Sequence, residues 1–125
     1  MSEPISVVKV RNVLLVSMPA DPDDSTVAAL QDRTLEAMSK YDARALVLDL
    51  SKVEILDSYF ARMVSETAQM VSLMGGDTII AGMQPALAVT ATELGVTLGR
   101  TRTAMTVERA LEVAGQPRGS AAKLL

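Results

Sequence analysis

The stretch Ala45-Leu46-Val47-Leu48-Asp49-Leu50, followed by Ser51-Lys52-Val53-Glu54-Ile55-Leu56-Asp57-Ser58-Tyr59-Phe60, decides the fold. Residues 45–50 form a short, nearly continuous apolar run, as expected of a strand buried on both faces in the middle of a sheet, so parallel pairing is expected. Downstream, Phe60, Met63, Val64, Thr67, Met70, Val71 and Met74 recur at three- and four-residue steps, the spacing of one buried helix face. Gly75-Gly76 closes that segment as a C-terminal glycine cap would.

The pattern repeats outward in both directions. Residues 5–10 and 13–18 are two β-rich runs broken by the polar pair Arg11-Asn12, which predicts an antiparallel hairpin. Residues 19–25 form a turn rich in Asp and Pro, ending in helix-capping residues. Val27, Leu30, Thr34, Met38 and Tyr41 then mark one face of a first helix. After the second helix, Thr78-Ile79-Ile80-Ala81-Gly82 reads as a strand, and Pro85 stands where a helix-opening proline belongs, ahead of Leu87, Thr90 and Leu94. Residues 101–105 supply a short last strand. Thr106 caps a final helix whose face is Val107, Ala110, Leu111 and Ala114. A hairpin followed by alternating strands and helices predicts an α/β fold: a mixed, mainly parallel sheet of four to five strands with about four helices and right-handed crossovers. One domain over residues 1–115 is expected, with a flexible C-terminal tail over 116–125.

Composition removes whole classes of function. The 125 residues are 49% hydrophobic, enough for a single core. With one Phe, two Tyr and eight Met, that core is aliphatic and offers no stacking platform for bases. A net charge of −3, with scattered cations, gives no footprint for a nucleic-acid backbone. Cysteine and histidine are both absent. Thiolate nucleophiles, disulfides and the usual transition-metal ligands go with them, and so does the side chain most used for proton transfer near neutral pH. No enzyme activity, cofactor or metal is expected. No apolar run approaches the ~20 residues needed to span a bilayer, and the N-terminus has no secretory pattern, so a cytoplasmic location is expected.

In open α/β sheets the functional crevice lies beyond the carboxyl ends of the strands, which points to the connection carrying Asp57 and Ser58. A serine just before the first periodic residue of a helix can cap that helix, and capping is the structural reading of Ser58. Its hydroxyl would also be accessible, and a phosphate there would meet free N–H groups at the positive end of the helix dipole. The neighbouring Asp57 would repel that phosphate, so phosphorylation would change the local field sharply. Hydrolytic use of Ser58 lacks a nearby base. Elsewhere the sequence favours plain roles: Gly75-Gly76-Asp77 and Gly82-Met83-Gln84-Pro85 as turns and caps, Met63, Met70 and Met74 as core, and Asp21, Asp23 and Asp24 as helix-start residues rather than a calcium site.

Leu48-Asp49-Leu50, 55–62 (Ile-Leu-Asp-Ser-Tyr-Phe-Ala-Arg) and 82–90 (Gly-Met-Gln-Pro-Ala-Leu-Ala-Val-Thr) with Glu93-Leu94-Gly95 resemble the STAS family, and within it the RsbS-like antagonists of the bacterial stressosome. The likeness runs from residue 5 to about 114. It implies a non-enzymatic scaffold that holds an RsbT-like serine kinase together with RsbR-like STAS proteins, and forms a homo-oligomer, a dimer, within a large complex. It further implies Ser58 as the phosphoacceptor, Asp57, Tyr59 and Arg62 as partner-binding residues, and an RsbX-like phosphatase as a further partner. RsbR-like subunits carry an added sensor domain, and this fold begins at about residue 5, so the resemblance is to the sensorless partner. A sporulation-type anti-anti-sigma factor and a nucleotide- or lipid-binding STAS module remain the alternatives.

Overall fold

The computed structural model describes residues 5–95 and 101–115. The expected tail, 116–125, lies outside the described residues. The elements run β1 (Ser6–Val10), β2 (Val13–Ser17), α1 (Asp24–Tyr41), β3 (Ala45–Asp49), α2 (Ser58–Leu73), β4 (Asp77–Ala81), α3 (Pro85–Glu93), β5 (Arg102–Ala104) and α4 (Val107–Ala114). They form a five-stranded sheet in the order β1-β2-β3-β4-β5. β1 pairs antiparallel with β2, and the remaining neighbours are parallel. This is the expected mixed α/β sheet with four helices.

The hairpin closes over two residues, with Val10 opposite Val13. Arg11 adopts a left-handed φ of 57°, which lets so short a connection turn with the twist of its strands. Each parallel step then needs a crossover, and the helices supply it. Ladder bonds continue past the strand ends: Met18 N–H donates to the Asp49 carbonyl, Leu50 N–H to Ala81 and Gly82 N–H to Ala104.

β3 is the centre of the sheet, and its residues divide between two cores. Leu46 and Leu48 join Leu14, Val16, Ile80, Val27, Leu30, Phe60, Val64 and Leu87 on the face covered by α1, α2 and α3. Ala45 and Val47 join Val13, Ile79, Ala81 and Ala110 on the face covered by α4. Residues 45–48 are at most 2% exposed, as a strand covered on both sides must be.

The helices depart from the sequence pattern at their ends. On α1, Val27, Leu30, Thr34 and Met38 are buried as expected, but Tyr41, the last helical residue, is exposed. Its ring instead receives the ammonium groups of Lys9 and Lys40 at 5.6 and 5.3 Å. On α2, Phe60, Ala61, Val64, Thr67, Ala68 and Val71 are buried. Met63 packs against the core, whereas Met70 and Met74, expected to fill it, are exposed. The helical repeat of 3.6 residues rotates those last positions off the contact face. On α3 the buried residues are Leu87 and Ala91, while Leu94 is exposed and Thr90 half-buried. The Thr90 hydroxyl donates back to the Ala86 carbonyl. α4 is capped by the Thr106 hydroxyl, which accepts from Arg109 N–H, as the sequence predicts.

Two leucines test this division of the surface. Leu46 is fully buried and Leu73 is 88% exposed. Leu46→Ala is expected to cost about 2–5 kcal/mol through lost transfer energy and a residual cavity, and Leu73→Ala at most about 0.5 kcal/mol. Urea unfolding of the two variants beside the parent protein measures both.

Candidate functional site

The connection between β3 and α2 crosses the carboxyl edge of the sheet, and its backbone is held at several points. The Asp49 carboxylate accepts from Ser51 N–H at 2.9 Å. Val53 N–H donates to Leu50, and Glu54 N–H to Ala20 in the connection before α1. Val53 and Leu56 are buried anchors, and Ile55 between them is 56% exposed. The loop therefore alternates anchored and presented side chains until α2 begins.

That beginning corrects the expectation for Ser58. Asp57, with extended φ and ψ of −98° and 175°, is the N-cap, and its carboxylate accepts from Phe60 N–H at 2.8 Å. Ser58 is the first helical residue, exposed, and its hydroxyl makes no capping bond. A carboxylate one residue earlier reaches the third amide of the helix with better charge complementarity than the serine could offer, so the capping role belongs to Asp57. Spacing alone pointed to the pair. The sequence signal for the correct member was its Asp, equal to Ser in cap preference and three residues before Phe60.

Four amides at the start of a helix lack intrahelical partners. Here Phe60 N–H is taken by the Asp57 side chain, and Ala61 N–H donates to the Asp57 carbonyl. The backbone N–H groups of Ser58 and Tyr59 take no acceptor among the described residues. The Ser58 hydroxyl thus stands beside two free donors at the positive end of a 16-residue helix.

Arg62 lies one helical turn from Ser58, and its guanidinium is 5.8 Å from the centre of the Tyr59 ring. Tyr59 is half-buried against the main core, which gives that cation a fixed platform. A shallow, open groove brings Ser58 and Arg62 together with Ser65 and Glu66 on α2 and with Leu94 and Gly95 at the end of α3. Asp57, Ser58, Tyr59 and Arg62 are thus gathered on the first turn and a half of α2. Such an arrangement has an acceptor hydroxyl, two amide donors and one cation. Among the described residues, no side chain accepts a hydrogen bond from the Ser58 hydroxyl as an activating base would. Of the early acidic run, Asp23 caps α1 by accepting from Thr26 N–H at 2.8 Å. Among the described residues, no helix is long and apolar enough to cross a membrane.

A family model described as the STAS domain matches residues 4–110. Among curated proteins, the chain is 22% identical over 82% of its length to the RsbT co-antagonist protein RsbRA of Bacillus subtilis, and 27% identical over 69% to RsbRB of the same organism. It spans about a third of the length of these relatives, 38% and 31% respectively. Among solved structures, a serine-to-glutamate variant of RsbS from Moorella thermoacetica superimposes with a TM-score of 0.80 at 25% identity, covering 90% of this chain and 95% of that one. A chain from the molecular architecture of the stressosome, described as a signal integration and transduction hub, gives 0.77 at 27% identity over 87% and 95%. The unphosphorylated anti-sigma factor antagonist SpoIIAA gives 0.70 at 16% identity over 90% and 99%, a likeness of fold.

The division of labour at the helix start is directly measurable. Asp57→Ala removes the cap and is expected to cost about 1 kcal/mol, whereas Ser58→Ala, at an exposed helical position, should change stability by less than about 0.5 kcal/mol. Equal losses for the two variants in chemical denaturation would return the cap to Ser58.

Proposed function

The chain belongs to the STAS domain family, and on that premise we propose that it is a non-enzymatic antagonist subunit of a stressosome-type assembly. It holds a serine kinase of the RsbT class until that kinase phosphorylates Ser58. The observation that carries this reading is the exposed hydroxyl of Ser58 at the first helical position, with its cap supplied by another residue. An acceptor that does not serve the fold can be modified without unfolding it.

The chemistry of the turn supports a switch rather than a catalyst. A phosphate on Ser58 carries about −1.5 to −2 charges near neutral pH and three strong acceptor oxygens. The free N–H groups of Ser58 and Tyr59 and the guanidinium of Arg62, at the i+4 position, are available to it. Asp57 opposes it. The fold thus tolerates the modification while the exposed field turns strongly negative, which penalises a partner already docked on that surface. Asp57, Tyr59 and Arg62 accordingly form the partner-contacting rim around the acceptor. RsbR-like STAS proteins are the proposed co-assembling subunits and an RsbX-like phosphatase the enzyme that resets Ser58. The site works in the cytoplasm, where such a kinase has its ATP.

Incubation with the cognate switch kinase and ATP should place one phosphate on Ser58, seen by intact mass and peptide mapping, and none on Ser65, Thr90 or Thr92. Stoichiometric phosphate on Ser58→Ala would overturn the assignment. Ser58→Ala should retain the kinase permanently. Ser58→Asp should bind it more weakly by like-charge repulsion, and the gap between the two should narrow as salt rises from low to about 1 M, where the screening length falls to about 3 Å. Equal affinities of the two folded variants at low salt would remove charge at residue 58 as the switch.

Assembly gives a second test. The chain by itself should sediment as a small oligomer, and large particles should form on adding an RsbR-like partner. A sporulation-type antagonist would stay small with and without its kinase, so unchanged sedimentation on mixing with several such partners would overturn the stressosome reading.

A further inference from the structure

We propose that Gln84 is a positioning residue for the phosphoacceptor segment, an inference that rests on the assignment of Ser58 above. Gln84 occupies the N-cap position of α3, yet its side chain makes no capping bond. Pro85 at the next position has no N–H, so one of the donors that a cap would serve is already missing. The amide group is directed elsewhere. Its nitrogen lies 2.9 Å from the Ser51 carbonyl and 3.2 Å from the Val53 carbonyl, both in the connection that leads to Ser58. Carbonyls only accept, so the NH2 end of the side chain faces them and spends both of its hydrogens there.

A second contact presses the same two connections together. Gly82, at a left-handed φ of 72°, approaches Ser51 so closely that a Cβ on Gly82 would lie 2.9 Å from the Ser51 Cβ and 3.2 Å from its Cα. Backbone cannot move aside as a flexible side chain does, so the approach requires glycine. The segment Gly82-Met83-Gln84-Pro85, which the sequence offers only as a turn and a helix opening, is therefore a clamp between the β4–α3 connection and the β3–α2 connection.

What the clamp fixes is the backbone from Ser51 to Val53, immediately before the presented residues Glu54, Ile55 and Asp57. α2 itself is held by its own buried face, so loss of the clamp leaves Ser58 on its helix while loosening the peptide on its N-terminal side. A kinase that grips that peptide must then order it on binding, and the cost falls on association rather than on transfer of the phosphoryl group.

Gln84→Met keeps the length of the side chain and removes both donors. Gln84→Glu keeps the shape and sets a carboxylate against two carbonyls. In both variants, amide hydrogen exchange should quicken by about tenfold in the peptide covering 51–58, while the peptide covering 64–71 in α2 keeps its protection. The KM for phosphorylation by the switch kinase should rise by about tenfold with kcat unchanged. Exchange that quickens equally across the domain would show a general loss of stability and overturn the inference, as would unaltered exchange at 51–58. Wild-type protein phosphorylated on Ser58 together with an unchanged KM for Gln84→Met would overturn the inference alone. Wild-type protein that accepts no phosphate would overturn the switch reading and the positioning role with it, and the exchange data would still report on the clamp.

Discussion

Burial of β3 on both faces is the constraint from which the rest of the structure follows. Four consecutive residues, Ala45 to Leu48, are removed from water by two separate cores. A strand in that position must have neighbours on both edges and helices above and below, since its backbone groups are satisfied only by ladders and its side chains only by packing. Parallel neighbours oblige the chain to cross over between strands, and each crossover returns it to the same edge of the sheet. The β3–α2 connection and the β4–α3 connection therefore arrive side by side at the carboxyl edge. The burial of hydrocarbon in the middle of the sheet thus places Ser58 at an exposed edge.

At that edge, the helix cap and the exposed hydroxyl belong to different residues one position apart. Asp57 serves the helix by capping it, and its charge is committed to an amide of the first turn. Ser58 serves nothing in the fold. A hydrogen bond such as the cap is worth about 1 kcal/mol, a large share of what holds the first turn in place. A phosphoacceptor with that duty would couple each modification to fraying of the helix. With the duty on its neighbour, a charge placed on the proposed acceptor would change the surface potential and leave the cap as it was.

The two connections at the carboxyl edge are also bound to each other. Gln84 spans them with two hydrogen bonds, and Gly82 allows the backbones to approach. A hydrogen bond from a half-buried amide to a loop carbonyl contributes modestly to global stability. Its larger effect is conformational: it adds to the other ties of that connection and further reduces the number of shapes available to it.

Much of this was legible in the residues. The nearly continuous apolar run at 45–50 announced a central parallel strand, the period of α2 was unmistakable, the polar pair Arg11-Asn12 marked the hairpin, and Thr106 was readable as a cap, because each of these signals is local. The sequence also singled out the Asp57-Ser58 pair and, by resemblance, the STAS family. It misassigned the cap within that pair, since Asp and Ser are equally good caps and only backbone dihedrals tell the cap from the first helical residue. It placed Met70, Met74 and Tyr41 in the core, because steps of three and four residues mark a broad stripe and cannot say which of its flanking positions the opposing surface covers. The link from Gln84 to Ser51 and Val53 spans more than thirty residues, as the separations of 33 and 31 show. No local pattern encodes such a contact. It exists only because the crossovers return both connections to one edge, which is a decision of the tertiary structure.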